Sequence, residues 1–558
     1  MSQKAIRNLL KPLSALFLLA VSAVLVQPLF AQQDPTPVVH VDNPPNAATQ
    51  QARHYVILVS LDGFRYDYPT KYGAPHIQSM ATAGATAPEG MLPSYPSLTF
   101  PNHLTLATGL YPEHHGIVAN SFNDPARTAA QGQAYVYTQP KTNSDGSWYG
   151  GTPLWVLAEQ QGMRSACLFW PGSEAAIQGV RPSYYLHYDD HLDDRTRVDQ
   201  VIAWLKLPPG QRPPFITLYY SNVDHAGHAY GPESDEVRAA VHHVDDMIGD
   251  LQTKLANLNL PVDLIVVADH GMVTLKGDPI NLGEFTHLDG VPTEGSLLYP
   301  ATEAEAARLY AEFKAHPDPR FSVYRRADVP EHLHFSTNPR EGDPVLVPNG
   351  PYTLTTRPAN PNNMGRGGAT HGGHGFDPST MPEMKAIFFA QGPDIKPNTQ
   401  LPTFENINLY PFIARLLELR APTVDGNPKV LEPALANPGP IIVKLSSNNG
   451  RGPSTLEPAS DDEPVKIGLG VTPSAWLQKA EPQYTDKARK AHVNGSVLLS
   501  VRVEKDGHPS NIHVLRSLDK GLDENAVEAV GHSTFRPAMK DGKPVVVELQ
   551  IEMNFQTY

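Results

Sequence analysis

The chain has 558 residues, of which 40% are hydrophobic and 18% charged, a globular balance that leaves room for two or more domains. Its formal net charge of −14 argues against a protein that binds a nucleic-acid backbone, because such proteins usually present a basic face. Cys167 is the only cysteine, which excludes an internal disulfide and a thiolate metal site, whereas 23 histidines favour a zinc-type site with nitrogen and oxygen ligands.

Residues 1–31 have the pattern of an export signal. Basic residues precede an apolar run from Leu13 to Val26, and Ala31 is a candidate cleavage position. The alternative is a retained inner-membrane anchor, although the run is short for a bilayer span. Residues 32–52 are rich in Pro, Gln and Asn and are interpreted as a tether.

Three apolar runs of strand length predict buried parallel strands: His54–Ser60, Pro214–Ser221 and Val262–Ala268. Each run is followed by residues that can bind a metal. These residues are Asp62 after the first run, Asp224 and His228 after the second, and Asp269 and His270 after the third. The carboxyl ends of such strands are where open α/β sheets bind ligands.

Helical patterns alternate with these strands. Residues 75–83 predict one helix, and Ser234 predicts the start of another, whose apolar positions recur at steps of four and three. Residues 275–365 are less clearly patterned, after which a strand is predicted over 386–390 and a helix near 406–419. The alternation predicts a doubly wound, mostly parallel α/β sheet over residues 53–435.

The composition changes after residue 435. Residues 436–470 are polar and rich in Pro, Gly and Ser, which predicts a linker. Residues 471–558 predict a small α+β domain. Its predicted elements are strands at 495–504, 512–516 and 545–555 and a short helix at 522–530.

Thr99 follows a loop rich in Pro and Ser, and Pro101 marks the start of a helix. A hydroxyl at this position lies at the positive end of the helix dipole, where it could hold and attack a phosphoryl group. A helix cap is the more ordinary interpretation of such a threonine. The metal-binding residues at successive strand ends, together with His374 from a Gly-rich loop, favour the catalytic interpretation.

Six motifs carry a resemblance to a known family, and they occur in its order: Leu61–Arg65, Thr99–His103, Thr108–Asn120, Asp224–His228, Asp269–Met272 and His374–Asp377. Residues 53–435 thereby resemble the nucleotide pyrophosphatase/phosphodiesterase family of the alkaline phosphatase superfamily. The resemblance implies the alkaline-phosphatase-like fold and two zinc ions per chain. The implied ligands are Asp224, His228 and His374 for one ion and Asp62, Asp269, His270 and the Thr99 hydroxyl for the other.

The resemblance also implies roles for the residues around Thr99. Zinc would activate the Thr99 hydroxyl, which would become transiently phosphorylated before water releases the product. Asn120 would donate to a phosphoryl oxygen together with the Thr99 backbone N–H. Phe100 and Tyr219 would form an aromatic slot for a nucleobase or another flat leaving group.

The same residues also bear on other functions that this layout could serve. A sulfatase is disfavoured because the frame around Ser94 lacks the required arginine. A phosphomonoesterase remains an alternative, but Asn120 is neutral and no Arg or Lys lies between Thr99 and Asn120, which favours a singly charged diester. A non-catalytic periplasmic interaction protein is the rival from another class.

Residues 471–558 resemble the TonB C-terminal domain family, whose members pair an exposed strand with a partner peptide. The matching residues include Pro482–Tyr484, Gly495–Val497, Val501–Val503, Asp506–Gly507, Phe535–Ala538 and Phe555.

We therefore expect an exported two-zinc phosphodiesterase or nucleotide pyrophosphatase in the periplasm or envelope of a Gram-negative bacterium. Its substrate is expected to be a small phosphodiester or nucleotide. Its C-terminal domain is expected to be a structural or docking module, with an envelope protein as the partner in the docking case.

Overall fold

The computed structural model describes residues 36–51, 54–128, 132–356, 372–437 and 471–555, the last range without residues 473, 479, 481, 486–487, 490–492, 494, 517, 532 and 541–542. The chain forms two compact units, which divide between Lys444 and Leu445. The predicted export signal at 1–31 and nearly all of the predicted linker at 436–470 lie outside the described residues.

The first unit is built on a nine-stranded sheet. Its strands in chain order are β1 (Val39–His40), β2 (Tyr55–Leu61), β3 (Ala85–Thr86), β4 (Ser165–Leu168), β5 (Tyr184–Tyr185), β6 (Phe215–Tyr220), β7 (Val262–Val267), β8 (Phe388–Gln391) and β9 (Thr399–Gln400).

The order across the sheet is β1-β5-β4-β6-β2-β7-β8-β3-β9. The five adjacent strands β5, β4, β6, β2 and β7 run parallel to one another. β1 pairs antiparallel with β5, and β8 pairs antiparallel with β7. Every residue of β2 and β6 is buried, as their uniformly apolar sequences predict for central strands. The predicted mostly parallel α/β sheet is confirmed, with an antiparallel strand at β8.

The longer helices of the first unit alternate with these strands along the chain. They are α1 (Pro75–Ala83), α2 (Thr99–Thr108), α3 (Leu154–Gln160), α4 (Asp194–Leu205), α5 (Asn222–Tyr230), α6 (Asp235–Ala256), α7 (Glu303–Ala315) and α8 (Leu409–Leu416). The Ser234 side chain accepts a hydrogen bond from the Val237 N–H and so caps α6 as predicted. The apolar residues that recur along α6 face the core.

Residues 36–51 do not form the free tether that their composition predicts. β1 extends the sheet by pairing with β5, and the Asn46 side chain donates hydrogen bonds to the carbonyls of Pro209 and Arg212. Val39 and its neighbours also pack against the main core. The composition of this segment could not reveal these partners, because the Asn46 side chain bonds to residues 163 and 166 positions further along the chain.

The weakly patterned region that begins near residue 275 contains a small core of its own. α7 is its helix, and the Thr302 side chain caps it by accepting from the Glu305 N–H. A Thr followed three residues later by Glu is a known helix-start signal, so the sequence did carry a mark of this helix. The buried members of this core are Ile280, Leu282, Leu298, Phe313, Phe321, Val323 and Leu346.

The second unit is a three-stranded antiparallel sheet with a helix. Its sheet order is β11-β10-β12, where β10 is Gly495–Val503, β11 is Pro509–Arg516 and β12 is Val547–Phe555. Helix α9 spans Lys520–Gly531. Alternate residues of β10 are buried in a core that also holds apolar side chains of α9, in agreement with the predicted α+β domain.

Within the described parts of the chain, every helix is too short or too polar to cross a bilayer.

Candidate active site

Thr99 is the first helical residue of α2, and Leu98 occupies the capping position without a side-chain cap. The Thr99 hydroxyl oxygen lies 3.3 Å from His270 Nε2. The hydroxyl therefore faces the residues at the ends of the sheet strands and does not serve as a helix cap.

Asn102 holds the loop that presents Thr99. Its side-chain NH₂ donates to the carbonyls of Pro96 and Leu98, and its oxygen accepts from the Ser94 N–H. The side chain is completely buried, so these bonds are shielded from water. Asn102 lies inside the Thr99–His103 motif, but its role in holding this loop is not predicted from the sequence.

Asp62, Asp269 and His270 form what we call the buried cluster. His270 Nε2 lies 3.6 Å from Asp62 Oδ1 and 3.0 Å from Asp269 Oδ2. The Gly63 N–H donates to Asp269 Oδ1, and the Tyr219 hydroxyl donates to Asp62 Oδ2 at 2.6 Å. One oxygen of each carboxylate is thus fixed by the protein while the other faces the histidine.

Asp224, His228 and His374 form what we call the open cluster. Asp224 and His228 lie one turn apart on α5, as their spacing of four residues predicts. Asp224 Oδ1 lies 3.4 Å from His228 Nε2 and 3.6 Å from His374 Nε2. The His228 side chain is 47% exposed, so this cluster is accessible to solvent.

The hydrogen bonds of the three histidines leave lone pairs facing inward. The Nδ1 atoms of His228, His374 and His270 lie against the carbonyl oxygens of Gly372, Ser97 and Gly271, to which they donate. The Nε2 atoms of His228 and His374 meet at 3.0 Å. Two such nitrogens beside a carboxylate are the arrangement that a shared cation stabilises.

Buried carboxylate oxygens support the same conclusion. Asp62 Oδ1, Asp224 Oδ1 and Asp269 Oδ2 are buried and accept no hydrogen bond from the described residues. A buried oxygen without a donor is costly unless a proton or a cation compensates it. The groups here whose ligand atoms lie close enough to share an ion are Asp224/His228/His374, Asp62/Asp224/His270 and Asp62/His103/Asp269, and they fit metal binding through nitrogen and oxygen.

Protonation of these groups reflects their burial. Burial and the nearby carboxylates of Asp269 and Asp224 raise the pKa of Asp62 well above its ordinary value. Burial opposes protonation of His270, but the Asp269 carboxylate raises its pKa above the usual value. Burial lowers the pKa of His374, which keeps this ring neutral. Without metal, protons take the places that cations would occupy, so metal binding must displace them.

Two backbone and ring contacts tie the clusters together. Gly63 has a positive φ of 68°, and a Cβ there would lie 2.9 Å from Asp224 Cα. The absence of a side chain lets the turn after β2 approach the start of α5 this closely. The rings of His270 and His374 also stack, with centroids 3.6 Å apart.

Asn120 lies beside the start of α2. Its side-chain oxygen accepts a hydrogen bond from the Phe100 N–H at 2.9 Å. This bond sets the orientation of the amide, with the NH₂ as its other end. His115 supports the intervening loop, because its Nδ1 accepts from the Ile117 N–H and its Nε2 contacts the Thr105 hydroxyl.

The aromatic residues near the site divide into buried and exposed ones. Tyr219 is only 8% exposed, and its hydroxyl bond to Asp62 places it against the buried cluster. Phe100 packs edge-on against the exposed Tyr137, at 5.2 Å between ring centroids. Tyr188, which sequence analysis missed, is 49% exposed and lies 6.1 Å from the Tyr219 ring. The described ring pairs do not join Phe100 to Tyr219.

The remaining histidines of the motifs are not among the predicted ligands, but His103 forms a possible metal-binding group with Asp62 and Asp269. His103 is completely buried, and its Nδ1 donates to the Thr99 carbonyl while lying 3.4 Å from Asp269 Oδ2. His225 faces solvent and lies 3.5 Å from Asp190. His371 lies outside the described residues.

Comparison with protein families assigns both units. Residues 56–377 match the model for type I phosphodiesterase/nucleotide pyrophosphatase. Residues 480–557 match the Gram-negative bacterial TonB protein C-terminal model. Both predicted resemblances are confirmed.

The relatives that match the first unit are named as pyrophosphatases/phosphodiesterases or phosphodiesterases. An uncharacterized pyrophosphatase/phosphodiesterase of Schizosaccharomyces pombe is 34% identical over 397 residues, which are 68% of this chain and 80% of the relative. Human ectonucleotide pyrophosphatase/phosphodiesterase family member 1 is 34% identical over 401 residues, 68% of this chain and 42% of the relative. A venom phosphodiesterase of Crotalus durissus collilineatus is 33% identical over 402 residues, 69% and 46% of the two chains. The chain thus spans less than half of the human and rattlesnake proteins.

Solved structures agree. Murine ectonucleotide pyrophosphatase/phosphodiesterase 5 matches with a TM-score of 0.63 and 28% identity, covering 69% of this chain and all of that chain. An inactive threonine-to-alanine variant of the same murine protein, in complex with AMP, matches with a TM-score of 0.63 and 27% identity. The family match and these relatives confirm the predicted enzyme class: the chain belongs to the type I phosphodiesterase/nucleotide pyrophosphatase family.

Proposed function

We propose that the first unit hydrolyses phosphodiester or nucleotide pyrophosphate bonds, with Thr99 as the nucleophile. The observation that carries this proposal is the position of the Thr99 hydroxyl at the N-terminus of α2, 3.3 Å from a histidine of the buried cluster. In the murine relative, a threonine-to-alanine variant is described as inactive, which fits an essential threonine.

The two clusters would hold zinc ions. Bound there, zinc would act as a Lewis acid that lowers the pKa of a coordinated hydroxyl and neutralises charge on a phosphoryl group. The open cluster, whose ligand atoms all lie within 4.8 Å of one another, would hold one ion. The buried cluster with the Thr99 hydroxyl would hold the other, since His270 Nε2 lies 3.6 Å from Asp62, 3.0 Å from Asp269 and 3.3 Å from Thr99. Zinc is favoured over magnesium because each cluster contains histidine nitrogen.

The reaction follows from the positions of the chain's own groups. The Thr99 hydroxyl loses its proton and its oxygen attacks phosphorus, the bond to the leaving oxygen breaks and that oxygen takes up a proton, and Thr99 is left bonded to the phosphoryl group with its remaining substituent. The α2 N-terminus and the Asn120 amide would hold the non-bridging oxygens. Water entering by the half-exposed His228 then cleaves the Thr99–phosphoryl bond and restores the hydroxyl.

A diester is the favoured substrate class. The amide of Asn120, oriented by the Phe100 N–H, is a neutral donor and so suits a phosphoryl group with a single negative charge. Phe100 with Tyr137 and the exposed Tyr188 offer flat apolar faces on which a nucleobase can stack. Tyr219 is proposed to line the inner end of this slot, where its hydroxyl orients Asp62.

A pair of substrates tests this proposal. The zinc-loaded chain is expected to hydrolyse bis-nitrophenyl phosphate, a diester, with a kcat/KM at least about tenfold above that for nitrophenyl phosphate, a monoester. The reverse preference would establish the phosphomonoesterase alternative. Absence of turnover of both substrates by the zinc-loaded chain would favour the non-catalytic interaction protein.

Two substitutions test the nucleophile itself. Thr99→Ala is expected to abolish diester hydrolysis while zinc stays bound, whereas Thr99→Ser is expected to retain part of it because the hydroxyl remains. Thr253→Ala is the matched control, since it removes an exposed threonine hydroxyl that bonds only within α6. Substantial turnover by Thr99→Ala would refute the assignment.

For the second unit we propose docking of an envelope protein. β12 lies at the edge of the three-stranded sheet, so an extended peptide could pair with it. This role and the family of the module favour a location in the envelope of a Gram-negative bacterium. A pull-down of envelope proteins with the full chain, repeated with a proline at a β12 position whose N–H points away from β10, tests the pairing.

A further inference from the structure

A further group of metal-type ligands, in addition to the buried and open clusters, lies away from the active site, and we call it the distal cluster. It consists of His54, Asp263 and Asp394, whose ligand atoms all lie within 4.8 Å of one another. His54 directly precedes β2, Asp263 is the second residue of β7, and Asp394 follows β8. The active-site residues Asp62 and Asp269 follow the other ends of β2 and β7, so these two strands carry ligand-type residues at both ends.

Asp263 is the residue that distinguishes this group from a surface ion pair. Its side chain is completely buried, and its Oδ1 accepts a hydrogen bond from the Asp394 N–H at 3.1 Å. Its Oδ2 is buried and has no hydrogen-bond partner among the described residues. A carboxylate oxygen in this state requires a positive partner or a proton.

The backbone of the neighbouring loop is shaped around this carboxylate. Gly392 has a φ of 152°, and a Cβ there would lie 2.2 Å from Asp263 Oδ1. The glycine therefore lets the loop pass directly over the carboxylate and bring Asp394 beside it. On the other side, His54 Nδ1 lies against Asp394 Oδ2.

From this geometry we propose that the distal cluster binds a divalent cation of the zinc or manganese type. One imidazole nitrogen with two carboxylates is a ligand set that such ions accept. The side chains of His54 and Asp394 are 37% and 31% exposed, so the ion can enter and complete its coordination with water. The cation would join the start of β2, the start of β7 and the loop after β8, and so stabilise the end of the sheet remote from the active site.

The alternative is a proton in place of the cation. Burial and the neighbouring Asp394 raise the pKa of Asp263 to about 7 in the metal-free chain. A shared proton would satisfy the same oxygen without any metal, so the two accounts differ in metal content.

The test measures bound metal and thermal unfolding of the full chain after loading with Zn²⁺ or Mn²⁺ and desalting. Relative to the wild type, His54→Gln and Asp263→Asn are each expected to lose about one equivalent of metal per chain. Each is also expected to lose a few degrees of the metal-induced rise in Tm. Diester turnover of the zinc-loaded His54→Gln chain is expected to be unchanged, because the active-site clusters are intact.

His187→Gln is the matched control. His187 Nδ1 pairs with Glu174 Oε2 at 2.5 Å on the surface, so this variant removes a histidine–carboxylate pair that lacks a buried third ligand. It is expected to keep the wild-type metal content. His54→Gln removes a half-exposed side chain and tests the proposal even if Asp263→Asn fails to fold. Wild-type metal content in His54→Gln would overturn the proposal, as would an equal loss in His187→Gln.

Discussion

The buried cluster and the open cluster use the same residue types but differ in access to water. Asp62, Asp269 and His270 are almost completely buried and lie beside the Thr99 hydroxyl, whereas His228 of the open cluster is about half exposed. A dry cluster beside the hydroxyl suits the attacking step, because charges there act through a lower dielectric. A cluster open to solvent suits the step that needs water. The difference suggests a division of labour between clusters of nearly identical composition.

Removal of metal provides the strongest test of this comparison. Prolonged treatment with a chelator is expected to lower diester turnover by at least about 10³-fold, because several kcal/mol of charge stabilisation would be lost. Turnover and bound metal should be followed together over time, and Zn²⁺ added back afterwards. The open cluster is expected to empty first, since His228 is accessible. Full turnover by a metal-free chain would contradict both clusters' proposed roles.

Asn120→Ala should separate phosphoryl binding from metal binding. Loss of an amide that stabilises developing charge is expected to lower kcat by about 10²–10³-fold. Metal content is expected to stay at the wild-type level, because Asn120 contacts Phe100 and neither cluster. Asn257→Ala, which removes an amide paired with the Thr253 carbonyl at the end of α6, is the control. A kcat unchanged by Asn120→Ala would remove this residue from the site.

Tyr219→Phe sharpens the view of the buried cluster. The variant removes the hydrogen bond to Asp62 Oδ2, and a bond to a charged group of this kind is expected to be worth about tenfold in kcat. Tyr72→Phe is the matched control, because it removes a buried hydroxyl that donates to the Pro232 carbonyl and belongs to neither cluster. An effect on KM alone would indicate that Tyr219 contacts substrate and does not position Asp62.

The smallest expected effect concerns the stability of the metal-free chain. The raised pKa of Asp62 means that its favourable contribution is present below about pH 4 and is lost as pH rises through the folded-state pKa. Asp62→Asn removes this charge, so its Tm without metal is expected to exceed the wild-type Tm by a few degrees at pH 8, and by less at pH 4. Thermal unfolding at both pH values checks the sign. An equal difference at both pH values would show that the Asp62 charge is compensated within the fold.

The positions of the metal-type residues could be predicted because the chain repeats a simple arrangement. A uniformly apolar strand ends in a carboxylate or histidine, and neighbouring parallel strands bring these ends to one edge of the sheet. The helix over 75–83 and the cap at Ser234 follow from equally local signals. Such features depend on residues only a few positions apart.

Features that depend on distant segments could not be predicted. The Tyr219 hydroxyl meets Asp62 across 157 positions, and the sequence shows only an aromatic residue in a buried strand. The distal cluster joins His54 to Asp394 across 340 positions, and neither residue lies in a recognisable motif. Residues 36–51 look like a tether until their bonds to remote backbone groups are known. In each case the two partners come together only in the folded chain, so residues near each one in sequence do not reveal the contact.

Gly63 sets how closely the turn after β2 approaches α5. A Cβ at position 63 would lie 2.9 Å from Asp224 Cα, so the main-chain segments that carry Asp62 and Asp224 come this close because residue 63 has no side chain. Substitutions of the ligand side chains can therefore change which ion is accepted while the spacing of these main-chain segments stays constant. A side chain at position 63 would push these segments apart and so lengthen the distance that a bridging phosphoryl group has to span.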